Sequence, residues 1–254
     1  HPVGSVYAAD GKWVLIGWND LGMHCMDADY SVFSILPPYN TIHAHLMDSS
    51  GKLVKSAAGV TVTYEAVADS SGSINTYSFD KTNFWKYIQP LFGVSPAAEI
   101  GLAGFAMPGP SNQARAMRFD AANNWFSAEG IPITSYDDRF VKNPYPMMRL
   151  AARDSAGNLL ATAGIVLPVS DEMTCSACHA SGGAETARPA AGWAWSPDPE
   201  RDYKLNILSL HDEKKGTTLY TSATGKSTPV LCASCHASNA LPGCNSAAAA
   251  RSRA

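Results

Sequence analysis

The sequence predicts a mainly β protein in two parts, a β-sandwich-like domain over residues 1–170 and a loop-rich domain over 171–254 with one or two short helices. Three observations predict it. Short apolar stretches alternate with polar residues up to about residue 170. Turn signals of the form Asp-Ser-x-Gly recur between them. From Asp171 onward the composition shifts to Ala, Ser, Gly and Pro and the periodicity fades.

Taken in order, residues 41–47, 60–67 and 148–152 alternate as half-buried strands must, because successive side chains of a strand leave on opposite faces. Asp48-Ser49-Ser50-Gly51, Asp69-Ser70-Ser71-Gly72 and Asp154-Ser155-Ala156-Gly157 read as loops with glycine at a positive-φ position. A short helix is expected over 83–89, where Phe84, Tyr87, Ile88 and Leu91 share a face before Pro90 interrupts it. A longer helix should open at Asp198-Pro199-Glu200 and run towards Lys215-Gly216, with Tyr203, Ile207, Leu210 and His211 on one side.

At 254 residues and 46% hydrophobic content the chain can bury a core of its own. A net charge of −3 carries no basic footprint, which excludes nucleic acid as a partner. No apolar run approaches the ~18 residues of a membrane span, so a transmembrane protein is not expected. A chain opening at His1 is expected to have lost an export signal.

The chemistry lies in two C-x-x-C-H pentads, Cys175-Ser176-Ala177-Cys178-His179 and Cys232-Ala233-Ser234-Cys235-His236. This spacing lets two thiols bond the two vinyl groups of one porphyrin while the following imidazole meets the iron, so each pentad reads as a covalent c-haem site. The expectation is two haem c groups, tethered by Cys175, Cys178, Cys232 and Cys235, with His179 and His236 as proximal iron ligands. A zinc site or a thioredoxin-like pair is the alternative. Neither requires histidine after both pairs, and zinc ribbons space their pairs more closely.

Cys25 and Cys244 are left over, an even remainder that fits a disulfide in the oxidising compartment where c haem is attached; two separate buried thiols are the alternative. One position remains on each iron, and His1, His24, His43, His45 and His211 are the imidazoles left to fill them. His211 ranks first, as an imidazole on the apolar side of the long helix between the pentads; a hydrogen-bonded core or capping histidine is the competing reading. His24 follows, in the irregular segment Gly22-Met23-His24-Cys25-Met26, drawn towards the second haem if Cys25 pairs with Cys244. Met23 and Met26 are axial alternatives whose first reading is packing. His43 and His45 lie two apart on an alternating segment and so project from one face, where either could ligate a haem of this subunit or a neighbour's.

Trp18-Asn19-Asp20-Leu21-Gly22-Met23-His24-Cys25-Met26-Asp27 and the stretch from Leu231 through Cys232-Ala233-Ser234-Cys235-His236 to Leu241 resemble exported multihaem c-type cytochromes of metal-reducing and related bacteria. Ser31 to Thr41 and Leu208-Ser209-Leu210-His211-Asp212 are similar to the same group. The resemblance implies electron transfer outside the cytoplasm, at the cell surface or beyond it or else in the periplasm, with His24 and His211 placed for distal ligation. Redox proteins or extracellular acceptors would be the partners. Self-association into a conducting helical filament is a further expectation, motivated by the surplus histidines. No catalytic residues are expected. The rival class is a di-haem enzyme, a peroxidase or a sulfur-compound oxidase with Cys25 on iron, which needs an exchangeable iron position.

Overall fold

The computed structural model describes residues 6–8, 13–20, 22–171, 174–225 and 228–236, and these are mainly β, as the sequence predicts. The chain clusters into two units. One comprises 1–24, 38–81 and 96–170, the other 25–37, 82–95 and 171–254.

The first unit holds two antiparallel sheets. Its strands are β1 (Val6–Ala8), β2 (Val14–Asn19), β3 (Asn40–Met47), β4 (Val60–Val67), β5 (Arg115–Ala116), β6 (Arg118–Asp120), β7 (Trp125–Ile131), β8 (Met147–Asp154) and β9 (Leu159–Val166). One sheet runs β1-β9-β8-β4-β5 and the other β2-β3-β7-β6. Alternation sets the core: Val62, Tyr64 and Ala66 of β4 and Ala161, Ala163 and Ile165 of β9 are buried, while their neighbours along the strand are not. Gly17 of β2 marks where the two sheets approach. A Cβ there would lie 2.4 Å from a Leu150 methyl and 2.9 Å from one of Ile165, so only glycine leaves those side chains their places.

The three Asp-Ser/Ala-Gly loops fold alike. In each, the aspartate carboxylate accepts amides two and four residues on: Ser50 and Lys52 for Asp48, Ser71 and Ser73 for Asp69, Ala156 and Asn158 for Asp154. The glycine amide then donates to the aspartate carbonyl at 2.9–3.0 Å, with φ between 77° and 86°. A fourth copy escaped the sequence pattern. Asp137 accepts the amides of Arg139 and Val141, and Phe140 takes the glycine position at φ 60°. The pattern was invisible because the residue that normally marks it is missing.

The second unit contains α1 (Phe84–Phe92), α2 (Ser176–His179), α3 (Pro199–Lys215) and α4 (Leu219–Gly225). Helix α1 runs through Pro90 rather than stopping there. The proline forfeits one backbone bond in the last turn, while Leu91 beyond it is buried and Gly93 closes the helix at φ 70°. Phe84, Ile88 and Leu91 form its buried face, and Tyr87, expected there, is half-buried.

Helix α3 begins and ends as its sequence signals require. Asp198 caps it through the amides of Glu200 and Arg201, Pro199 opens it, and Gly216 ends it at φ 65°. The buried side differs from the expected one. Tyr203 is buried, but Ile207, Leu210 and His211 are only partly so, whereas Asp202, Lys204, Leu205, Asn206 and Leu208 are buried. The reason lies in residues 25–37, which return to cover α3: Val32 and Phe33 pack with Leu205, Leu208 and Ala223. Residues Phe33–Ser34 also pair in parallel with Val230–Leu231.

Candidate functional site

Both pentads fold into the same turn. In α2 the amides of Cys178 and His179 donate to the Cys175 carbonyl at 3.2 and 3.0 Å, and in the second pentad those of Cys235 and His236 donate to Cys232 at 3.2 and 3.0 Å. A helical turn brings residues i, i+3 and i+4 to one face, so the two cysteines and the histidine of each pentad leave the backbone on the same side. Cys178 and Cys235 are exposed, and Cys175 and Cys232 are half-buried. Burial raises the Cys232 thiol to about 11, with the Asp27 charge adding to the effect.

The first turn is clamped from two sides. Gly183 packs so closely on it that a Cβ would sit 2.7 Å from the Cys178 carbonyl oxygen. From α3, Asn206 donates to the His179 carbonyl at 2.9 Å and to the Ser181 hydroxyl, while accepting the Ala194 amide. One turn earlier on α3, Asp202 accepts the amide and hydroxyl of Ser181 and the Ser196 amide. Burial holds the His179 imidazole below its usual proton affinity, which favours the neutral form that binds metal. Its Nδ1 is buried with no hydrogen-bond partner.

The second turn meets α3 further along. The rings of His211 and His236 have centres 6.3 Å apart and planes at 88°. Two imidazoles on opposite sides of one metal ion, each with a bond of about 2 Å and a ring centre about 1 Å further back, also stand about 6 Å apart. His211 Nδ1 lies 2.9 Å from the Thr217 hydroxyl.

No family model, no curated protein and no solved structure matches this chain.

The remaining predicted donors fall elsewhere. His24, His43 and His45 belong to the first unit. His24 is buried, with its amide on the Pro168 carbonyl at 3.0 Å and its ring 5.8 Å from that of Tyr39. His43 and His45 share a face, as their spacing predicts, and both border Trp18 and Trp125; His43 stacks on Trp125 at 4.4 Å and contacts Asp20 at 3.4 Å. Cys25 is a free thiol, and Cys244, its expected partner, lies outside the described residues. Met26 is fully buried, in keeping with packing, while Met23 is exposed.

Among the described residues no three His, Cys, Asp or Glu side chains gather as donors to a single cation. A c haem does not ask for such a group, since each thiol bonds its own vinyl carbon and only imidazole reaches the metal.

Sequence reasoning missed the polar side of α3. Asp202 and Asn206, four residues apart and therefore on one face, hold the first pentad and the loop after it. Between them, Lys204 is almost fully buried against the Asp29 carbonyl and the Phe33 ring, 4.0 Å from the Asp27 carboxylate. Asp27 in turn accepts the amides of Ile35 and Leu36. Burial pushes its carboxyl up, and Lys204 and those amides pull it back. The signal available in the sequence was the i, i+4 spacing of Asp202 and Asn206 on a helix read for its apolar residues alone.

Proposed function

We propose that the chain is a di-haem c-type cytochrome that transfers single electrons outside the cytoplasm. Cys175 and Cys178 tether one haem with His179 on its iron. Cys232 and Cys235 would tether the other, with His236 and His211 as the imidazoles that would bind its iron. The observation that carries the reading is that both pentads form the same turn and both rest on α3, at Asn206 and at His211. These anchor points are five residues apart, about 8 Å along the helix, so one rigid element holds both groups near each other. Bound haem supplies a one-electron iron couple whose potential follows axial ligation, hydrogen bonding and burial. The electron comes from a reduced partner protein and passes to an oxidised partner or extracellular acceptor. The likeness of residues 18–27 and 231–241 to exported multihaem cytochromes supports location outside the cytoplasm, and no described helix is long and apolar enough to cross a membrane.

Mass spectrometry of the denatured, exported protein tests this directly. Two haem masses that survive denaturation are expected. A polypeptide of bare mass overturns the proposal.

A specific observation keeps the enzyme reading as second. The second unit contains His179, His211 and His236 as its imidazoles, so the haem at Cys175 and Cys178 has no second imidazole from that unit. A ligand from His24, His43 or His45, of this subunit or of a neighbour in a filament, completes an electron carrier. An exchangeable position gives a peroxidase-like or sulfur-oxidising centre. Carbon monoxide uptake by the reduced protein separates the two, and electron microscopy at high concentration tests the filament.

A further inference from the structure

The geometry points to Thr217 and Asp212 as a positioning pair that fixes the protonation and orientation of His211 as the axial ligand opposite His236; this rests on the di-haem reading above. The Thr217 hydroxyl has one proton and two neighbours, His211 Nδ1 at 2.9 Å and the Asp212 carboxylate. A carboxylate only accepts, so the hydroxyl donates to Asp212 and must itself accept from His211. The proton of the neutral imidazole therefore sits on Nδ1, and Nε2 keeps the lone pair that a metal requires.

Asp212 is well placed to impose this. It also accepts the Leu219 and Tyr220 amides at 2.8 Å, which open α4, while its carbonyl accepts the Gly216 amide that ends α3. The turn between the two helices is thus tied to one carboxylate, and by taking the hydroxyl proton that carboxylate leaves the Thr217 oxygen's lone pair turned to the ring. A ligating histidine whose far N–H is held by an acceptor backed by a carboxylate is a stronger donor and keeps a single ring orientation. Stronger donation favours ferric iron, so the pair lowers the potential of the haem on Cys232 and Cys235 and leaves the other haem alone. Thr217 is exposed, so its replacement removes little packing.

The test compares holoprotein carrying Thr217→Val with wild type and Thr217→Ser, by redox titration and electron paramagnetic resonance. One of the two haem couples should move to higher potential with an altered low-spin signal, and Thr217→Ser should restore both. Unchanged potentials and spectra at full haem content, or an equal shift of both haems, overturn the positioning pair while leaving the di-haem reading intact. Absence of haem from the wild type overturns both. Should the valine variant fail to fold, nitrogen-15 histidine spectra of the reduced wild type decide the matter. A slowly exchanging Nδ1–H on His211 is expected, and a proton in free exchange with solvent overturns the pair.

Discussion

Asn206 and His211 stand about one and a half turns apart on α3, and each meets a different C-x-x-C-H turn, Asn206 through the His179 carbonyl and His211 through the His236 ring. A single helix therefore carries contacts to both C-x-x-C-H turns. Changes along it should act on one site at a time.

On the proposed di-haem reading, replacing His211 by alanine removes one axial donor. One haem of the two should become high-spin and take up carbon monoxide when reduced, beyond any wild-type uptake. His211→Met should keep that haem six-coordinate and raise its potential. Optical titration with carbon monoxide checks both, and wild-type behaviour of His211→Ala would exclude this residue as a ligand.

Asn206 is fully buried, and Asn206→Ala leaves the Ala194 amide and the His179 carbonyl, both in half-buried residues, without that partner. A loss of about 2–3 kcal/mol is expected from two unsatisfied groups. Haem occupancy should fall at Cys175 and Cys178 more than at Cys232 and Cys235, read by mass mapping of proteolytic fragments.

Lys204→Ala strands the Asp27 carboxylate, which is 1% exposed and whose Oδ1 has no hydrogen bond. Leaving a buried charge alone costs about 3–5 kcal/mol. Adding Asp27→Asn should return part of that loss, since it removes the stranded charge. Denaturant unfolding of the three variants measures it, and equal stability of the single and double variants would show that Lys204 does not serve Asp27.

Asp48, Asp69 and Asp154 are each held below the ordinary carboxyl range, chiefly by the side chains of Ser50, Ser71 and Asn158, with loop amides adding to the effect. Their folded affinity for protons is lower than the unfolded one. Their stabilisation is therefore complete above about pH 4 and is lost as pH falls through their lower folded values. Urea midpoints should drop below pH 4, and less steeply for Asp154→Asn. A midpoint flat down to pH 2.5 would contradict the loop bonding.

Phe140 occupies the left-handed position that glycine holds in the three sister loops, and it is 56% exposed. Phe140→Gly relieves a cost of about 1 kcal/mol per left-handed residue and loses little burial. Its melting temperature should equal or exceed that of wild type. A fall of several degrees would mean the ring does packing work at the surface.

Local signals carried much of this protein. The pentads, the three glycine-marked loops, the strand alternations, the Asp198 cap and the Gly216 stop of α3 depend on residues a few positions apart, and their geometry follows from those residues alone. What the sequence left open depended on chain segments meeting from far away. That residues 25–37 and 82–95 join the unit of the pentads, that the polar side of α3 is the buried one, and that His211 faces His236 were all decided by tertiary structure. Burial rewards any complementary surface whatever its distance along the chain, so a linear pattern names which residues are apolar and which are candidate ligands but not which of them come to share a neighbour.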